Sequence, residues 1–224
     1  MNYLAIDTST QRASVALAVG EHLYHVEHDI LREHAQSILP MIEQLLSQAN
    51  IVLAELDGIV FGRGPGSFTG LRIACSVVKG LAYPHSLPVY PVSSLAAIAD
   101  DVFSSEPELA PETHVLTMID ARMQAVYWDC YASNGEHQCE QVTSVSAITV
   151  PQNVPLILAG VGFEAYHSEL PLAIQKQCIQ QREIFPDARA MIRLVASGKC
   201  SPVSAGEALP VYVRNQVIQG ASGG

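Results

Sequence analysis

Apolar positions recur along this chain with two different periods. Tyr3-Leu4-Ala5-Ile6 is a continuous apolar run closed by Asp7 and the polar triplet Thr8, Ser9 and Thr10, which predicts a buried strand entering a turn. Ala13–Val19 and His22–His28, separated by Gly20, extend it into a strand meander. From Glu33 to Ala49 the period lengthens: Ile38, Met41, Ile42, Leu45 and Ala49 recur at helical spacing, and Leu39 and Leu46 widen the stripe. Pro40 either kinks that helix or sits in its first turn. Leu56–Phe61 reads as a second buried strand, and the glycine-rich Gly62–Gly70 leads into a helix predicted over Leu71–Ala82. On it Leu71, Ala74, Cys75, Val78, Leu81 and Ala82 share one face while Ile73 and Val77 lie on another, so more than one side must be buried. Val89–Val92 gives a short strand, and Ser93 is placed to cap a helix over Ser94–Phe103.

The plan then repeats. Leu116-Thr117-Met118-Ile119-Asp120 resembles Leu4-Ala5-Ile6-Asp7, and is followed by a polar turn, a strand Ala125–Tyr131, a turn at Asn134-Gly135 and a strand Gln138–Val142. Leu156–Gly162 echoes Gly58–Gly64, a strand delivered into a glycine turn. Two copies of one strand, meander, helix and strand plan divide the chain into lobes 1–103 and 104–224, with Ser104–Glu112 as linker. Beyond them lie a helix over Asp187–Ser197, a strand-like Pro210–Arg214 and a Gly/Ser/Ala tail at Gly220–Gly224 that is expected to be disordered. Periodicity leaves open which lobe the terminal segment packs on.

Length and composition narrow the function. A chain of 224 residues holds one large domain or two small lobes, and 49% apolar against 15% charged residues supplies a core. A net charge of -10, from 12 Lys and Arg against 22 Asp and Glu, has the wrong sign for a protein that grips nucleic acid through many phosphate contacts. Five cysteines without a C-x-x-C pair encode neither a disulfide framework nor a zinc ribbon. No stretch reaches membrane-spanning length and no basic signal-peptide segment opens the sequence, so the expectation is a cytoplasmic protein without membrane contact.

The acidic residues closing the first strand of each copy suggest an α/β fold of duplicated actin-like (ribonuclease H-like) lobes, each with a mixed sheet flanked by helices. In that arrangement Asp7 with Ser9 and Asp120 with Arg122 would face each other across a nucleotide cleft. The turns after them, Thr8-Ser9-Thr10 and Ala121-Arg122-Met123, lack the glycines that close phosphate approach needs. Gly62–Gly70 fits neither G-x-G-x-x-G nor a Walker A loop; it either offers an anion the helix N-terminus near Thr69 and Gly70 or lets two backbones approach. His22, His25 and His28 alternate across a strand, which spoils three-fold coordination and makes them solvated histidines. His34 has Ile38 one turn on, so no H-x-x-x-H pair exists. No serine, histidine and acid triad can be placed, Cys75 reads as core or interface, and Trp128 and Tyr131 read as core.

Four segments carry a family resemblance: Ile6–Ser9; the Gly64, Pro65, Gly66, Ser67, Phe68, Thr69, Gly70, Leu71, Arg72 run; Ile119–Arg122 with Val126-Tyr127; and Pro210–Arg214. They span essentially the whole chain and resemble the bacterial TsaB (YeaZ) family. That resemblance implies a role in forming threonylcarbamoyladenosine next to the anticodon of tRNA, without a catalytic residue in this chain. It implies pairing with a catalytic, metal-carrying TsaD-like paralogue and a TsaE-like ATPase, with tRNA held by the complex and not directly. It implies no resident cofactor, and leaves open weak ATP or ADP binding between the lobes. One departure is visible: the family commonly has glycine and glutamate where this chain has Gln124 and Ala125.

The two over-apolar helices are the expected interface, through Leu39, Ile42, Leu46, Leu71, Ile73, Ala74, Val77 and Val78, in a homodimer when the chain is alone and with the paralogue otherwise. The competing classes are an actin-like small-molecule kinase or ATPase and a metallopeptidase.

Overall fold

The computed structural model describes residues 1–29 and 34–213. Glu33 as a helix start, Arg214 and the Gly220–Gly224 tail lie outside the described residues.

β1 (Asn2–Asp7), β2 (Ala13–Val19) and β3 (His22–His28) form an antiparallel meander. β4 (Gly58–Gly64) adds parallel to β1, and β5 (Val89–Ser93) parallel to β4, giving the order β3-β2-β1-β4-β5. The second sheet repeats this with β6 (His114–Arg122), β7 (Ala125–Ala132), β8 (Gln141–Ser144), β9 (Leu156–Val161) and β10 (Cys178–Glu183) in the order β10-β9-β6-β7-β8. β6 stands where β1 stands, and each later strand matches its counterpart in both neighbour and direction. Two five-stranded mixed sheets flanked by helices make the duplicated actin-like fold.

Helices α1 (His34–Ala49) and α2 (Phe68–Ala82) cover the outer face of the first sheet, where Ile38, Leu45, Ala74 and Val78 meet Leu4, Ile6, Ile59 and Phe61. The short α4 (Leu172–Gln177) and 3-10 turns at Val145–Ala147 and Glu164–Glu169 do the same for the second sheet, around Trp128 and Leu158. The two remaining helices cross over. α3 (Ser94–Ser105) follows β5 of the first sheet yet packs Leu95, Ile98 and Val102 on Val115, Ile119, Ile157 and Val161 of the second. α5 (Ala188–Ala196) follows β10 of the second sheet yet packs Ala188, Met191 and Val195 on Tyr3, Ala5, Ala16 and Val60 of the first. α3 and α5 meet in the middle, where Arg193 reaches Asp100 at 2.7 Å and Asp101 at 3.1 Å.

Several boundaries differ from expectation for local reasons. α2 starts three residues early because Ser67 caps it, its side chain accepting from Gly70 N. Ser93 caps α3 as expected, and Asp187 caps α5 through Arg189 N. The strand expected over Leu56–Phe61 begins at Gly58, since Leu53–Glu55 is a 3-10 turn, and it runs on to Gly64. The strand expected over Gln138–Val142 begins only at Gln141, because the amides of Gln138 and Cys139 are taken by the Asp129 carboxylate. Over Pro210–Val213 there is no strand; Val211 N makes one bond to the Arg63 carbonyl. Pro40 lies inside α1, beyond the first turn, with its ring on the exposed side.

Candidate functional site

Burial sets the chemistry at the end of β1. Asp7 is fully buried; its Oδ1 accepts from Ser9 N at 2.9 Å and Ser9 Oγ at 2.7 Å, and its Oδ2 from Ser94 Oγ at 3.1 Å. Loss of water outweighs these three donors and raises the carboxyl to about 6. The turn after Asp7 is locked to the glycine-rich segment: Thr8 Oγ1 donates to the Gly70 carbonyl at 2.7 Å, and Ser67 N to the Ser9 carbonyl at 2.6 Å. A Cβ on Gly70 would sit 1.8 Å from the Thr8 carbonyl oxygen, and one on Gly66 2.3 Å from that of Ser9. Of the two readings of this segment, the structure shows the close approach of two backbones. Gly64 precedes the cis peptide to Pro65. At the head of α2, Phe68 and Thr69 are exposed, with the Arg72 guanidinium 3.8 Å from the Phe68 ring centre and its Nε 3.3 Å from Tyr212 Oη.

Asp120 is built differently. Its Oδ1 accepts from Arg122 N at 2.8 Å, and the exposed Arg122 guanidinium lies 3.4 Å from Oδ2. Arg122, Met123 and Gln124 follow in the left-handed region at φ +63°, +56° and +59°. Asp7 with Ser9 and Asp120 with Arg122 are thus two local pairs, one sealed and one at the surface. The hydrogen bonds of each carboxylate stay within its own turn and, for Asp7, the head of α3.

The eight interface residues split into two sets. Ile42, Leu71, Ala74 and Val78 belong to the core of the first lobe. Leu39 is 47% exposed, and Leu46, Ile73 and Val77 are half-buried at the outer surface of the same two helices.

The histidines need correction. His25 is not solvated: its Nε2 lies 3.2 Å from Ser14 Oγ, 3.5 Å from Glu27 and 3.8 Å from Asp187, and burial lowers its pKa. Among the described residues His25, Glu27 and Asp187 are the one group spaced like metal ligands. Arg189 already grips both Asp187 oxygens and Arg12 reaches Glu27 at 3.4 Å, so cations of the chain occupy that set. His34 is buried, its Nε2 3.1 Å from the Gln11 carbonyl.

Pattern reasoning missed the contacts that join the lobes. Arg63 makes a two-pronged pair with Glu140, both bonds 2.9 Å, across 77 residues of sequence. No local period marks such a pair.

The family model described as TsaD, tRNA N6-adenosine threonylcarbamoyltransferase, matches residues 28–180. A tRNA threonylcarbamoyladenosine biosynthesis protein TsaB of Haemophilus influenzae is 35% identical over 97% of this chain and 95% of its own. Its Escherichia coli K12 counterpart is 34% identical over 97% and 96%. Among solved structures, YeaZ from Pseudomonas aeruginosa superposes with a TM-score of 0.82 at 37% identity, covering 94% of this chain and 99% of that one. The chain belongs to the TsaB (YeaZ) family of tRNA threonylcarbamoyladenosine biosynthesis proteins.

Proposed function

We propose that this chain is a non-catalytic subunit of the threonylcarbamoyladenosine machinery, pairing through α1 and α2 with a catalytic TsaD-like paralogue that a TsaE-like ATPase joins. The observation that carries the reading is the apolar surface on those helices. Leu39 and Leu46 lie two turns apart on α1, Ile73 and Val77 one turn apart on α2, and all four keep apolar surface in water although the first lobe's core is already complete beneath them. Alone, the chain covers this surface with a second copy. With the paralogue, it exchanges that copy for a one-to-one heteromer. The net charge of -10 suits a subunit that organises the complex while others hold tRNA, in the cytoplasm where the tRNA is. The reading assigns no resident cofactor to the chain; the enclosure of Asp7 and the filling of its turn by Gly66 and Gly70 support that.

Light scattering behind a sizing column tests it, on the chain alone and mixed with the TsaD-like protein of the same organism. The expected masses are a homodimer and then a heteromer, and Val77→Glu is expected to stay folded but run as a monomer. A homodimer that ignores the paralogue, or a Val77→Glu dimer of unchanged mass, refutes it.

A further inference from the structure

At the junction of the two sheets lies a cavity of about 660 Å³. One wall is apolar: Val92 at the end of β5, Ala96, Ala99 and Phe103 along α3, and Leu194 of α5. The facing wall is the hairpin after β7, with Tyr131 and His137. Neither Asp7 nor Asp120 lines this hollow: Tyr131 pairs with Val115 at the start of β6, whereas Asp120 lies toward the other end of that strand.

Asp129 fixes the hairpin wall. It is fully buried, and its Oδ1 accepts the backbone N–H groups of Cys130, Gln138 and Cys139 at 2.7, 3.2 and 3.1 Å. Its Oδ2 lies 2.8 Å from His137 Nδ1. A carboxylate ringed by donors accepts from that nitrogen too, so Nδ1 carries hydrogen and Nε2 is the ring's uncommitted polar atom among the described residues. Stacking on Tyr131, with centres 5.2 Å apart and planes at 21°, holds the ring in place. Of the cavity's cations, Arg63 is committed to Glu140, while Lys199 has no ion pair among the described residues. A hollow of this volume, with one apolar wall and a few fixed polar groups opposite, has the build of a small-molecule site.

We propose that this cavity binds small organic acids, the carboxylate lying between Lys199 Nζ and His137 Nε2 and an apolar body resting on Ala96, Ala99 and Phe103. Nothing in this depends on the partner reading above. With Nδ1–H held by Asp129, the imidazolium form of the ring donates its Nε2–H to the ligand carboxylate. The charged and titratable groups around the ring are Asp129 and Tyr131 behind it and Arg63, Glu140, Asp100 and Lys199 about the cavity.

Calorimetric titration of the full chain with N-acetyl-L-phenylalanine, against its neutral amide, tests the proposal. The acid is expected to bind about tenfold more tightly than the amide. Lys199→Ala and His137→Ala are each expected to weaken the acid about tenfold and leave the amide unchanged. Both side chains reach solvent, and circular dichroism checks that the variants fold. Equal binding of acid and amide, binding of neither at millimolar concentration, or variants that bind the acid like the parent would each overturn it.

Discussion

Replacing Asp7 by asparagine should stabilise this protein at neutral pH. The carboxyl is fully enclosed and its pKa is raised from 3.8 to about 6, mainly by lost hydration. The folded state therefore holds the proton more tightly than the unfolded chain does. The stability Asp7 contributes is fully present below about pH 4 and is lost as the pH rises through about 6. At pH 7 the ionised group costs about 3 kcal/mol relative to the protonated one. Asparagine removes the charge and fits the same donors: its Oδ1 accepts from Ser9 N and Oγ, and its Nδ2 donates to Ser94 Oγ, whose own hydrogen turns away. The second Nδ2 hydrogen and the displaced Ser94 hydroxyl hydrogen go without partners, costing about 1 kcal/mol each, which leaves a gain of about 1 kcal/mol. For a chain of this size that is a rise in Tm of about 2–4 °C. Urea unfolding at a series of pH values measures it, followed by the fluorescence of Trp128, the one tryptophan, and by far-ultraviolet dichroism as a check on two-state behaviour. The advantage of the variant should be near zero or negative at pH 4 and grow through pH 6. A difference independent of pH, or one that grows toward acid, would refute the argument.

Other substitutions probe other features. Gly70→Ala drives a methyl into the Thr8 carbonyl and should cost about 3 kcal/mol or more, whereas Gly80→Ala on the same helix meets nothing within 4 Å and should stabilise by about 0.5–1 kcal/mol; thermal melts compare them. Gln124→Gly relieves a left-handed residue at φ +59°, and after the entropy that glycine adds to the unfolded chain should gain about 0.5 kcal/mol in the same assay. A double-mutant cycle on Arg63 and Glu140, each changed to alanine, should return a coupling of about 1 kcal/mol that weakens with salt.

Strands were legible because burial imposes a period of two or a continuous apolar run, and β1, β2, β3 and the duplication follow from that alone. Helix α1 and the cap Ser93 were legible through spacing and the donors that helix ends leave open, whereas Asp187, expected as the first residue of its helix, is the cap of α5. The destination of α5 was not, because an amphipathic stripe records that a face is buried and not which sheet buries it. β8 was misplaced by three residues because a buried acid, Asp129, competes for the amides that a regular ladder would use. On α2 spacing placed Val78 on one face and Val77 on another, and only Val78 is part of the core; what spacing did not mark is that Ile42, Leu71, Ala74 and Val78, expected at the interface, are used up inside the lobe. The pairing of the glycine segment with Thr8 and Ser9 was hidden because glycine marks the need for room and not what fills it.

The crossing of α3 and α5 bears on how such a duplication persists. Each sheet is roofed by the helix that the other half encodes, so a copy cut at the linker would keep its strands and lose half their cover, exposing Tyr3, Ala5 and Val60 in one piece and Val115 and Ile157 in the other. Neither half is a spare part that recombination can lend to another gene. The heritable unit is the interlocked pair, and the two copies can drift apart in sequence only as far as each still fits the helix it receives.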